Sequence, residues 1–104
     1  MKKTRNAPLK NDLKKVQKII RAVAQITGVE SEVLLSRTRR QPAAFARQLC
    51  MAIGYRTTYM SMAQIAECFS RDHGTVVYAI KKVDEACEDK TVAILLKYIL
   101  HSIK

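Results

Sequence analysis

The feature that most limits what this chain can fold into is the stretch Ser61 to Val83, where two short apolar faces of helical period are separated by three polar residues. Met62, Ile65, Ala66 and Phe69 fall at the three and four spacing of one helix face, Ser70, Arg71 and Asp72 break it, and Val76, Ala79, Ile80, Val83 and Cys87 resume it. The opening Ser61-x-x-Gln64 has the form of a capping box, in which the serine oxygen accepts from the third amide and the glutamine reaches back. Asp72 stands where the second helix needs an N-cap. Two short helices joined by a tight turn are expected, the helix-turn-helix arrangement whose second helix lies in the major groove of DNA. Any two amphipathic helices across a polar turn give the same pattern, so spacing alone leaves both readings open.

Charge favours the first. The 104 residues carry 19 Lys and Arg against 9 Asp and Glu, a formal net charge of +10 that suits a polyanionic partner. The surplus is uneven: residues 1–40 hold 11 cations and 3 acids, and the remainder 8 and 6. On the outer side of the second helix, His73, Gly74, Val77, Tyr78 and Lys81 share a face turned from Val76, Ile80 and Val83, a small, polar and aromatic surface suited to contact.

The rest of the chain also reads as helix, and 3 Gly and 2 Pro enforce few turns. Residues 1–10 form a basic arm without apolar period, and residues 11–104 a single helical domain. Leu13, Val16, Ile20, Val23 and Ala24, with Ile19 and Ile26, give the first helix its core stripe, and Thr27-Gly28 ends it. Ser31 caps a short piece over residues 32–36, and Arg37-Thr38-Arg39-Arg40-Gln41 forms an exposed loop because three arginines cannot be buried unpaired. Pro42 suits the first position of a long helix carrying Phe45, Leu49, Ala52 and Ile53 and ending near Thr57-Thr58. A last helix from Thr91 turns Val92, Leu95, Tyr98, Ile99, Ser102 and Ile103 inward. The expectation is an all-α domain of about six helices.

Other chemistries find little purchase. Cys50, Cys68 and Cys87 are widely spaced within apolar patterns, which predicts reduced packing residues with neither a disulfide frame nor a metal site. No cofactor fingerprint occurs, Asp72-His73 has no suitably placed Ser or Cys nucleophile, and the chain is read as a non-enzyme without cofactor or metal. The basic N-terminus precedes no apolar signal segment, and no run approaches the ~20 apolar residues of a membrane span, so the chain is expected in the cytoplasm, with the nucleoid, and off the membrane.

Four phrases in fixed order carry a family resemblance: Ile26-Thr27-Gly28-Val29, Leu34-Leu35-Ser36 before the arginine loop, Ala46-Arg47-Gln48, and Arg71-Asp72-His73-Gly74-Thr75-Val76. Over roughly residues 13–83 the chain resembles the C-terminal DNA-binding domain of the bacterial chromosomal replication initiator, DnaA, and the last phrase is similar to that family's Arg-Asp-His-Thr-Thr-Val signature. The resemblance implies a Trp-repressor-like helix-turn-helix fold that binds double-stranded DNA in replication initiation or its regulation, with replication proteins as further candidate partners. It implies that Arg39 enters the minor groove while Arg37 touches phosphate, that Arg47 and Gln48 contact the DNA backbone, and that Ser61 offers its amide and hydroxyl to phosphate. Asp72, His73, Thr75 and Val77 match positions that face bases, and Tyr78 and Lys81 fall to the backbone.

The chain departs from the family where Gly74 precedes Thr75 in place of a second threonine, where Ser70 alone replaces paired glycines, and at Gln41 and Phe45, usually basic in the family. No GxxxxGK[ST] phosphate loop is present, so the expectation is a stand-alone domain lacking the initiator's ATPase. Two other readings stand beside this one: a helical protein-interaction module, and a transcription regulator with a different target.

Overall fold

The computed structural model describes residues 10–104, so the basic arm, apart from its last residue, lies outside the described residues. Six helices account for the fold: α1 (Lys10–Thr27), α2 (Ser31–Leu34), α3 (Ala43–Thr57), α4 (Met62–Cys68), α5 (His73–Ala86) and α6 (Lys90–Ser102), with no strand among the described residues. Lys10, assigned to the arm from sequence, opens α1.

The centre is α3. Ala43, Ala46, Leu49, Cys50, Met51, Ala52 and Ile53 are all buried, so most of the circumference of α3 is apolar, as suits a helix with neighbours on several sides. It packs against α1, α2, α4 and α5, and α6 closes the core from behind by packing on α1. Gly54 lets α3 approach closely: a β-carbon there would sit 3.3 Å from Ile65 Cδ1 of α4 and 3.9 Å from Val16 Cγ2 of α1. An ion pair between Arg56 and Asp84 joins α3 to α5 at the surface.

Local signals place most helix ends as expected. Gly28 takes φ +78° after α1, the left-handed conformation a Cβ would disfavour. Ser61 Oγ accepts from the Gln64 amide at 3.1 Å and Gln64 Oε1 accepts from the Ser61 amide at 2.9 Å, the reciprocal box that starts α4. Asp72 caps α5 and Asp89 caps α6. Cys50 is buried, Cys68 and Cys87 are half-buried, and all three are free.

Four expectations are corrected. Ser31 is the first helical residue of α2 and Glu30 its N-cap, without a side-chain hydrogen bond. Pro42, joined to Gln41 by a cis peptide, stands one place ahead of α3, and the Gln41 side chain takes over the capping by accepting from the Phe45 amide at 2.9 Å. Leu13, expected in the core stripe of α1, lies 40% exposed at its N-terminal end. On α6, Ile99 and Ile103 carry the inner face with Leu95 beside them, while Tyr98 is 62% exposed and Ser102 folds its hydroxyl back onto the Tyr98 carbonyl.

Candidate nucleic-acid interface

The arginine loop owes its shape to short side chains. Ser36 Oγ donates to the Val33 carbonyl at 2.6 Å and accepts from the Thr38 amide at 3.3 Å, and Thr38 Oγ1 accepts from the Arg40 amide at 3.2 Å. Such local bonds give the backbone an alternative to helix and leave Arg37, Arg39 and Arg40 exposed. The turn between α4 and α5 is equally specific: Ser70 has φ +54°, a left-handed conformation in a residue with a β-carbon.

The loop and the turn border one cleft. Arg37, Thr38 and Arg39 line it from the loop, Arg47, Gln48 and Met51 from α3, and Arg71, Asp72, Thr75 and Tyr78 from the turn and the exposed side of α5. The walls present four guanidinium groups and one carboxylate, Asp72, so the cleft is strongly positive. Asp72 Oδ1 accepts from both the amide and the hydroxyl of Thr75, and these two bonds, ahead of the His73 charge, hold its carboxyl below its ordinary range.

Arg47, which lines the cleft, is also bonded into the frame beneath the loop. It is 7% exposed; its Nε donates to the Leu34 carbonyl and a terminal nitrogen to the Ser36 carbonyl, each at 2.8 Å. Burial first, and then the charge of Arg71, pull its guanidinium below the usual value. Arg71, one of the three polar residues that interrupt the helical period, donates to the Ser36 carbonyl at 2.9 Å and to the Phe69 carbonyl at 3.3 Å. Its place at the head of the Arg71-Asp72-His73 phrase and its position at a tight turn between helices are the sequence signals that point to it.

Of the residues singled out from sequence, the structure brings Arg37, Arg39, Arg47, Gln48, Asp72, Thr75 and Tyr78 to this cleft. His73, Val77 and Lys81 are exposed on the adjoining face of α5 and do not line it. Ser61 stands apart at the start of α4, and its amide, expected to serve phosphate, is already donated to Gln64. Among the described residues no cluster of His, Cys, Asp and Glu could hold a metal, and no helix is long and apolar enough to cross a membrane.

Two helices packed across a capped turn, the second carrying an exposed face beside a basic loop, make this a helix-turn-helix domain. Residues 16–83 match the family model described as bacterial dnaA protein helix-turn-helix. The chain belongs to that family. It is 41% identical over 81 residues to the chromosomal replication initiator protein DnaA of Thermus thermophilus, covering 76% of this chain and 19% of that protein. It is 32% identical over 90 residues to DnaA 2 of Protochlamydia amoebophila, covering 85% and 20%, and 35% identical over 74 residues to DnaA 1 of Chlamydia pneumoniae, covering 71% and 16%. The chain thus spans about a fifth of the length of these relatives or less.

Proposed function

We propose that this chain binds double-stranded DNA sequence-specifically, with the first turn of α5 in the major groove and the Arg37–Arg40 loop in the adjacent minor groove, and that it acts in replication initiation or its regulation. The observation that carries the reading is that Arg39 and the Asp72–Thr75 turn border one positive cleft. An arginine in a narrow A·T-rich minor groove meets enhanced negative potential, which detects groove width where hydrogen-bond patterns are degenerate. Arg37 and Gln48 are placed for phosphates, and Tyr78 and Lys81 for the backbone farther along α5. The Asp72 oxygen outside the cap is available to a cytosine amino group, with His73 and Val77 beside it for base edges. The work of the cleft is binding rather than catalysis, which places the protein on the nucleoid, and replication proteins that share its sites are further partners.

Selection from random duplexes, followed by affinity measurement at one salt concentration, tests the reading. The selected duplex should bind at least ~10³-fold tighter than random sequence. Arg39→Ala should lose affinity chiefly on sites with an A·T-rich flank. Equal affinity for all duplexes would overturn the proposal.

A further inference from the structure

The Ser36 carbonyl accepts two guanidinium donors, Arg47 of α3 at 2.8 Å and Arg71 of the helix-helix turn at 2.9 Å. The second bond spans 35 residues of sequence. Arg47 is itself fixed by the Leu34 carbonyl, so it holds the end of α2 and the start of the loop to the domain centre. Arg71 then ties that same point to the turn, and its other bond to the Phe69 carbonyl fixes the end it reaches from. Bonds from a charged donor are stronger and geometrically stricter than neutral ones, and planar guanidinium forks are stricter than an ammonium. Two like charges share one acceptor at a cost that a loop needing only exposure would not require. Ser36 precedes Arg39 by three residues and Arg71 immediately precedes Asp72, so the clamp lies between the two parts of the interface.

We infer that Arg71 is a positioning residue whose bond to Ser36 fixes the distance between the loop and the first turn of α5, and so fixes how many base pairs separate the A·T-rich flank from the segment read in the major groove. This rests on the proposed reading of the cleft. Phosphate contacts alone orient a protein without setting such a spacing, whereas two reading elements on one rigid frame tolerate only one register.

The test uses the selected duplex and versions with one base pair inserted or removed between flank and core. The wild-type protein should lose at least about tenfold in affinity on either change, because a step of one base pair displaces the flank by roughly 3.4 Å and rotates it. Arg71→Ala should bind the original duplex more weakly yet lose only two- to threefold on the altered spacing, since its loop, then held by Arg47 alone and no longer tied to the turn before α5, has more room to follow. Arg71→Lys, which keeps the charge but not the fork, should fall between the two and covers the case in which the alanine variant does not fold. A weaker variant with an undiminished spacing penalty would assign Arg71 to charge or stability alone and overturn the inference while sparing the proposed function. A wild-type protein without any preferred duplex would overturn both.

Discussion

Oδ1 of Asp72 accepts from the amide of Thr75 at 3.0 Å and from its hydroxyl at 2.9 Å, so one carboxylate oxygen starts α5 and also fixes the rotamer of a residue facing the cleft. A carboxylate used this way is favoured as the anion, and its folded pKa lies below the unfolded one. Its contribution to stability is therefore complete above the ordinary Asp range and is lost as pH falls through the depressed folded value. Urea midpoints of wild type and Asp72→Ala should differ by a constant amount above about pH 5 and converge toward pH 2. A gap that persists undiminished in acid would contradict the cap.

Ser70 holds φ +54° at an exposed position, where glycine avoids the cost of a β-carbon. Ser70→Gly should raise stability by about 0.5–1 kcal/mol, and Ser70→Val should lower it by at least about 1 kcal/mol. Thermal melts read both signs, and a destabilised glycine variant would show that the serine makes up its strain elsewhere.

Arg47→Ala removes two charged donors and leaves a void under the loop, which should cost about 2–4 kcal/mol in urea denaturation. Arg47→Lys should recover little, because one ammonium on a flexible stem does not span both carbonyls in the fork geometry. Arg39→Ala, exposed and without packing to lose, should stay within about 0.5 kcal/mol of wild type. Equal effects at positions 39 and 47 would refute this division between binding and support.

What the sequence made legible was what short range determines. The Ser61–Gln64 box, the Asp72 cap and the stop at Gly28 each depend on residues within four positions, and the structure has all three. The faces of α1, apart from Leu13, and of α5 follow from period alone. The burial of Arg47 is not legible in the sequence, because it depends on carbonyls 11 and 13 residues away, which no spacing rule encodes. The bond from Arg71 to the Ser36 carbonyl is hidden for the same reason, at a separation of 35. An aromatic at helical spacing predicts packing for Tyr98, yet α6 packs chiefly on α1 and its outer side, Tyr98 included, stays exposed.

The close approach at Gly54 gives a further expectation. Alanine there gains about 1 kcal/mol of helix propensity against a 3.3 Å contact with Ile65 Cδ1, the movable end of a side chain, so Gly54→Ala should change stability by less than about 1 kcal/mol. Gly54→Val adds methyl groups that the Val16 and Ile65 side of the core does not hold, and should cost about 1–3 kcal/mol in the same melts.

In the proposed complex the Arg39 loop and the start of α5 hold adjacent grooves of one duplex. Dimethyl sulfate protection measures this directly, since the reagent marks guanine N7 in the major groove and adenine N3 in the minor groove. On the selected duplex both classes should be protected within one helical turn, with Arg39→Ala releasing adenine N3 alone. Protection confined to a single groove, or adenine N3 still shielded in Arg39→Ala, would contradict it.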